Sequence, residues 1–329
     1  MKAAIYRRYG PPEVLELAEV PQPLPRDDEL LIRVVASTVS APDWRVRKAD
    51  PQMVRLFMGL FRPKRQILGY EFAGDVVAVG NKVTRFKPGD AVFGMNVVGM
   101  SFKFGAYAEY ICVSTKALLA IKPDTISYAE AATIPSGTCT AYSCIQAAKL
   151  KPGHKVLING ASGSIGTAAL QLANYYGAEV TAVCNTNKMD FLKELGAAHV
   201  IDYTREDFTL SAERYDFILD AVGFSSFVKC RHLLTPTGGY LSTGASSLFQ
   251  NMYYGIKTRK SAGKKVLSFG GKLTAEHLEF FKQLIAEKRL RPVVDRCYPL
   301  EQVADAHRYT ELGHKKGNVA IMIGGKAET

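Results

Sequence analysis

The stretch VLINGASGSIG, Val156 to Gly166, places three glycines directly behind an apolar run. Ile165, Ala168, Ala169, Leu172, Ala173 and Tyr176 then recur at helical spacing and Gly177 supplies a stop, so the glycines sit where a strand becomes a helix. At such a junction the first backbone N–H groups and the positive end of the helix dipole face outward, and small residues let a pyrophosphate approach them. Gly160, Gly163 and Gly166 form GxxGxxG rather than GxGxxG, a pattern that alone can mean no more than relief of backbone strain. Inside a strand–helix–strand unit of this length it points to dinucleotide binding, with Gly160, Ser162, Gly163, Ser164 and Ile165 as the contacts.

The surroundings supply that unit. From about 123 to 270 strand and helix patterns alternate, through KVLING, SIGTAALQLANYYG, AEVTAVC, NKMDFLKELG, AHVIDY, YDFILDAV and GGYLSTG, which predicts a doubly wound parallel α/β sheet. Residues 1 to about 122 instead carry short apolar or alternating runs broken by Pro and Gly, the texture of a small barrel-like β domain. In the tail, 271–329, TAEHLEFFKQLIAEKR and LEQVADAHRYTELG read as helices and NVAIMI as a strand able to return to the first domain.

Which dinucleotide is read at the end of the second strand, where NAD binders place an acid on the ribose hydroxyls. Here the chain runs Ala182, Val183, Cys184, Asn185, Thr186, Asn187, Lys188, with no acid before Asp190. Lys188 in the first turn of a helix opposes the dipole unless an anion compensates it, and a 2'-phosphate would do so, with Tyr203 at the end of the next strand as a second donor. Plain solvent exposure of Lys188 is the alternative. NADPH is the expected cofactor.

At 329 residues the chain suits two domains, and no apolar run reaches the length needed to span a bilayer. The N-terminus MKAAIYRRYG carries no signal-peptide pattern, so a cytoplasmic, unprocessed protein is expected. Six cysteines, Cys112, Cys139, Cys144, Cys184, Cys230 and Cys297, lack CxxC pairing or nearby histidines, so they are read as reduced and mostly buried. The net charge of +11 fits nucleic acid, an acidic surface or an anionic cofactor alike. Its densest piece, KTRKSAGKK (257–265), lacks interleaved aromatics and is read as a solvated loop rather than a nucleic-acid site.

The chain resembles the medium-chain dehydrogenase/reductase superfamily, in its zinc-independent quinone oxidoreductase (zeta-crystallin-like) branch. The matching stretches include GYEFAGDVVAVG (69–80), FKPGDAVFG (86–94), GAYAEY (105–110), AATIPSGTCTAY (131–142), LKPGHKVLINGASGSIGTAALQLA (150–173), LGAAHVIDY (195–203), YPLEQVADAHRY (298–309) and GNVAIMI (317–323), in family order. The resemblance implies a GroES-like catalytic domain from both chain ends (1–122 and 271–329), a Rossmann domain (123–270), a cleft between them and usually a homodimer. It adds Thr140, Asn185, Val222 and Asn318 to the cofactor contacts.

Zinc-dependent members hold a catalytic metal with Cys, His and a further Cys. At the corresponding positions this sequence has Ser40 in TVSAPDW, Tyr70 in LGYEFAG and Ser136 in IPSGT, none a usual zinc ligand, and MNVVGMSFKFG replaces the four-cysteine structural loop. No metal is expected. Hydride delivery to an acceptor already electrophilic, a quinone or an α,β-unsaturated carbonyl, is therefore the expected chemistry. Tyr70 is the candidate donor to the acceptor oxygen, or else fills the vacated metal cavity bonded to Ser40 or Ser136; Ser40 and Asp43 are the other candidates. The branch typically carries Asn where Ser40 stands. Trp44, Met53, Val54, Leu56, Phe57, Met58 and Phe61 are candidates for the acceptor wall or for plain core. A carbonyl or enoyl-thioester reductase, and a crystallin-like or RNA-binding protein without catalysis, are the alternatives.

Overall fold

The first strands pair as their apolar alternation requires. In the computed structural model, which describes residues 1–99, 101–244, 248–271 and 273–324, β1 (Lys2–Tyr6) and β2 (Leu15–Glu19) form an antiparallel ribbon. β3 (Glu29–Thr38) is buried almost throughout, the pattern of a strand covered on both faces rather than one. After it come α1 (Ala41–Lys48), the single turn α2 (Val54–Met58), β4 (Glu71–Val79), β5 (Ala91–Met95), the small hairpin β6 (Val97–Val98) and β7 (Ser101–Phe102), β8 (Tyr110–Ser114) and β9 (Leu118–Ile121). β4 pairs along the length of β3; on the other side of β3, β8 takes Glu29–Arg33.

α3 (Tyr128–Thr133) and α4 (Pro135–Ala148) lead into a parallel sheet: β10 (Lys155–Asn159), α5 (Ser164–Tyr175), β11 (Glu179–Cys184), α6 (Met189–Glu194), β12 (His199–Asp202), β13 (Tyr215–Asp220), α7 (Phe227–Cys230), β14 (Leu234–Ser242), α8 (Leu248–Thr258) and β15 (Lys265–Val266). The sheet order is β12-β11-β10-β13-β14-β15 with every pairing parallel. Counted from its own first strand this is 3-2-1-4-5-6, the dinucleotide-binding order, whose switch point lies beside β10.

The tail gives α9 (Ala275–Ala286), β16 (Val294–Pro299), α10 (Val303–Glu311) and β17 (Asn318–Met322). β17 pairs antiparallel with the second half of β3, Ala320 opposite Thr38, and so completes the first sheet. Arg47, fully buried at the end of α1, forms an ion pair with Glu311 of α10, and His307 meets the Tyr107 hydroxyl at 3.2 Å. These buried polar bonds tie the returning segment to the first unit.

Contacts divide the chain into one unit of 1–136, 274–283 and 292–329 and a second of 137–273 and 284–291. The boundary read from sequence at 122/123 falls earlier, because α3 packs on β3, β4 and β17 of the first unit. No helix among the described residues is long and apolar enough to cross a membrane.

Candidate active site

In the second unit the three glycines of the opening stretch do three different things. Gly160, with φ +77°, ends β10 in a conformation closed to most side chains, and a Cβ there would stand 2.4 Å from Val222 Cγ1. Gly166 lies inside α5, where a Cβ would reach within 2.3 Å of the Gly160 carbonyl, so its bareness lets helix and turn touch. Gly163 caps α5 with an ordinary extended backbone, and a Cβ there would meet only the Gly160 carbonyl at 3.7 Å. Nothing in the fold needs that glycine. The space over it lies at the N-terminus of a twelve-residue helix, ahead of the first helical bond from Thr167 N–H to the Gly163 carbonyl. Tight turn, open approach and close helix packing, in that order, make a pyrophosphate cradle. Ser162, Ser164 and Ile165 are half-buried around it. α4 closes on the same helix end: a Cβ on Gly137 would collide with Ser164 Oγ at 2.2 Å, and Thr140 sits one turn further along.

Asp220, which the sequence reading did not single out, holds the far wall. Fully buried at the end of β13, it accepts from Asn159 Nδ2 at 3.0 Å and from the amides of Val222, Gly223 and Ser225. It thereby fixes the loop that presses Val222 onto Gly160. A carboxylate closing the apolar run YDFILD was its signal.

The end of β11 offers the other half of a nucleotide site. Asn185 Oδ1 is buried without a hydrogen-bond partner in the protein, an acceptor suited to a ribose hydroxyl. Lys188 is only 6% exposed, not the solvated side chain that was the alternative reading. Burial and the Asp202 carboxylate push the Cys184 thiol up to about 11 while the Lys188 ammonium pulls it down, which places Lys188 at the strand end. Tyr203 is exposed, its amide bonded to the Cys184 carbonyl at 3.0 Å. A depression of about 320 Å³ lined by Tyr203, Thr204, Arg205, Glu206, Asp207 and Phe208 adjoins it and brings a cation, Arg205, absent from the residues expected there. Asn318 lies in the first unit at the start of β17, its side-chain amide donating to the Val293 carbonyl at 3.2 Å.

In the first unit Ser40, Tyr70 and Ser136 converge. The Tyr70 hydroxyl and Ser136 Oγ are 2.7 Å apart, and Ser40 stands close enough to the phenol to pull its pKa down. Tyr70 is fully buried, its ring edge-on to Phe102 and Phe104, so the half-buried Ser40 and Ser136 are the more accessible members of the cluster. Asp43 accepts from Ser40 Oγ at 2.5 Å, from Ser40 N at 2.9 Å and from Gly69 N at 3.0 Å, so its carboxylate is spent on anchoring the start of α1. Glu71, a second acid unforeseen from sequence, accepts from Thr38 Oγ1 at 2.6 Å and Ser136 N at 2.8 Å.

Burial governs the titration of this cluster. It raises Asp43 to about 6 and Glu71 to about 7 against the hydrogen bonds that favour their charged forms. Burial, then the charges of Glu71 and Asp43, hold the Tyr70 phenol well above its ordinary value. Tyr70 is thus a protonated donor throughout the neutral range.

The apolar segment after α1 is neither core nor enclosed wall. Met53, Leu56, Phe57 and Phe61 are exposed, Val54 and Met58 half-buried, and Trp44 half-buried on α1.

Two families match in sequence: the alcohol dehydrogenase GroES-like domain over residues 26–124 and zinc-binding dehydrogenase over 195–321. A chloroplastic quinone-oxidoreductase homolog from Spinacia oleracea is 32% identical over 98% of both chains. The chain belongs to the medium-chain dehydrogenase/reductase superfamily, in its quinone oxidoreductase branch. A chloroplastic NADPH-dependent alkenal/one oxidoreductase from Arabidopsis thaliana is 31% identical over 98% of this chain and 79% of its own length. Among solved structures, the quinone oxidoreductase from Coxiella burnetii superposes with a TM-score of 0.85 at 29% identity, covering 98% of this chain and 99% of that one. The zinc in one family's description does not fit the donors found here. Ser40, Tyr70 and Ser136 are neutral hydroxyls already bonded, and among the described residues no group of three His, Cys, Asp or Glu is placed to hold a metal ion.

Proposed function

We propose that this protein is an NADPH-dependent reductase that delivers hydride to a quinone or an α,β-unsaturated carbonyl. The observation that carries the proposal is the division of labour among Gly160, Gly163 and Gly166, which leaves room over Gly163 that no packing requires. Those residues, with Ser162, Ser164, Ile165, Thr140 and Val222, would hold the pyrophosphate side of the nucleotide. Asn185 would take a ribose hydroxyl. NADPH rather than NADH is favoured by the cations Lys188 and Arg205 around a strand end that carries no ribose-binding acid. Asn318, expected as a further contact, keeps that role as part of the proposal. The bound nicotinamide supplies hydride.

The chain's own part is to hold a proton for the acceptor oxygen. As hydride reaches the acceptor, an electron pair moves onto that oxygen, which then needs a donor. The hydroxyl cluster can provide one, since Ser40 and Ser136 reach solvent in part, Tyr70 behind them keeps its proton, and Asp43 orients Ser40 through two hydrogen bonds. In this reading Ser40 and Ser136 meet the acceptor, Tyr70 supplies the proton through them, and Asp43 is a positioning residue.

A homodimer is part of the proposal, supported by the exposed Met252, Tyr253 and Ile256 of α8 beside the edge strand β15. A cytoplasmic location is part of the proposal, in keeping with cysteines of which Cys139, Cys144, Cys184 and Cys230 are buried as small apolar side chains. The basic run 257–265 begins on the last turn of α8 and continues into a turn where Arg259 and Lys260 are exposed, in keeping with a solvated loop. The proposal is tested by acceptor-dependent consumption of NADPH with a small quinone and a small enone. Absence of consumption with both would leave the binding-protein alternative.

A further inference from the structure

The segment that follows α1 has a chemistry that the nucleotide and hydroxyl sites do not use. Between Asp50 and Glu71 there is no acid, while Arg55, Arg62, Lys64 and Arg65 supply four cations. Its large apolar side chains face solvent: Leu56 is 67% exposed, Phe57 77% and Phe61 90%, with Met53 and Leu60 also exposed. This is not a loose coil with side chains astray. The Gly59 amide donates to the Arg55 carbonyl at 2.9 Å and the Lys64 amide to the Met58 carbonyl at 2.8 Å. From β1's side the Tyr9 hydroxyl donates to the Gly59 carbonyl at 2.7 Å, and Arg55 lies over the Tyr9 ring at 5.1 Å. Arg65 donates to the Phe102 carbonyl at 3.2 Å, which brings another exposed ring to the margin. A segment pinned through its backbone at three points and through Arg55 and Arg65 at two more therefore presents an apolar knob ringed by cations.

We propose that this face docks on an anionic lipid bilayer, with Leu56, Phe57 and Phe61 entering the headgroup boundary and Arg62, Lys64 and Arg65 meeting lipid phosphates. Charge decides the occupant. A second copy docked on the same face would set four cations against four with no acid from the segment, whereas an anionic surface satisfies them, and the chain's net charge of +11 adds long-range attraction. Apolar side chains flanked by Lys and Arg are what interfacial adsorption uses, and adsorption of this kind needs no spanning helix.

The test sediments the full chain with vesicles of phosphatidylcholine alone and of phosphatidylcholine mixed with phosphatidylglycerol. The wild type is expected to bind the mixed vesicles and to be released by salt. Arg62→Ser/Lys64→Ser/Arg65→Ser should bind on the order of 100-fold more weakly, at about fivefold per cation. Leu56→Ser/Phe57→Ser/Phe61→Ser should lose about tenfold or more. Lys257→Ser/Arg259→Ser/Lys260→Ser, in the other basic run, should bind as wild type. All of these side chains are exposed, and matching thermal melts show that each variant is folded. The proposal is overturned if the wild type shows no preference for anionic vesicles, if the apolar variant binds as well as wild type, or if only the 257–260 variant loses binding. It is equally overturned if sedimentation equilibrium shows the apolar variant converting a wild-type dimer to monomer, which would assign the face to a second copy.

Discussion

Replacing Glu71 by Gln should change how stability depends on pH, and the direction follows from where that carboxyl sits. Glu71 opens β4, 2% exposed, and its oxygens are taken by Thr38 Oγ1 and the Ser136 amide. Burial raises its pKa from 4.5 to about 7; the Asp43 charge adds to the rise, while the two hydrogen bonds and Lys315 oppose it. A folded-state value above the unfolded one means that folding favours the protonated acid. Its contribution is therefore complete below about pH 4.5 and is lost as pH climbs through about 7. That interval corresponds to about 3 kcal/mol. Gln keeps the shape and never ionises. His307, held neutral by burial, is present in both proteins, so its effect cancels in the difference, while Asp43, whose charge acts on Glu71, belongs to the same coupled response. Urea unfolding of the first unit, followed by the single tryptophan Trp44, should show wild type losing about 3 kcal/mol relative to Glu71→Gln between about pH 4.5 and about pH 8. A difference constant to within about 0.5 kcal/mol across that range would refute the argument that Glu71 is kept neutral by its surroundings.

The cradle separates ligand from fold: Gly163→Ala should leave thermal stability nearly unchanged while weakening NADPH about tenfold or more, whereas Gly166→Ala, its Cβ driven at the Gly160 carbonyl, should cost about 1–3 kcal/mol of stability. Isothermal titration and melting curves on both variants check the pair. Lys188→Ala should cut the preference for NADPH over NADH by about tenfold or more, the worth of one charge-assisted phosphate contact, and equal wild-type affinities in a fluorescence titration would remove Lys188 and Tyr203 from the site. Tyr70→Phe should lower kcat about 10- to 1000-fold at unchanged NADPH affinity. A wild-type rate together with a lower melting temperature would make the phenol a packing residue.

Much of the fold was written in local pattern. The period change near residue 123, the apolar runs of β10, β11 and β13, and the spacing of α5 each follow from side-chain periodicity, which a sequence displays directly. The return of NVAIMI to the first sheet was legible as a strand in search of an edge, and the edge is β3. The boundary at Ser136 was not, because the six residues of α3 are too short a run for periodicity to assign them, and only their packing on β3 and β4 does. In the site, the glycines were legible because a turn, an approach and a packing contact each exclude side chains. Asp220 and Glu71 were missed because a buried acid shows in sequence only as one charge in an apolar run, and the side chains that bond them, Asn159 for Asp220 and Thr38 for Glu71, are distant in the chain. The exposure of Phe57 and Phe61 could not be read at all, since the same spacing serves core and surface.

The central claim is that the chain moves hydride from NADPH to an acceptor already polarised, with a hydroxyl cluster rather than a metal as its partner. The most direct measurement follows NADPH absorbance with a small quinone, a small enone and an aldehyde, and in the reverse direction NADP with simple primary alcohols, each with and without a chelator. The expected result is NADPH consumption with the quinone or the enone, no measurable alcohol oxidation, and rates untouched by the chelator. Alcohol oxidation that the chelator abolishes, beside an inert quinone and enone, would contradict it.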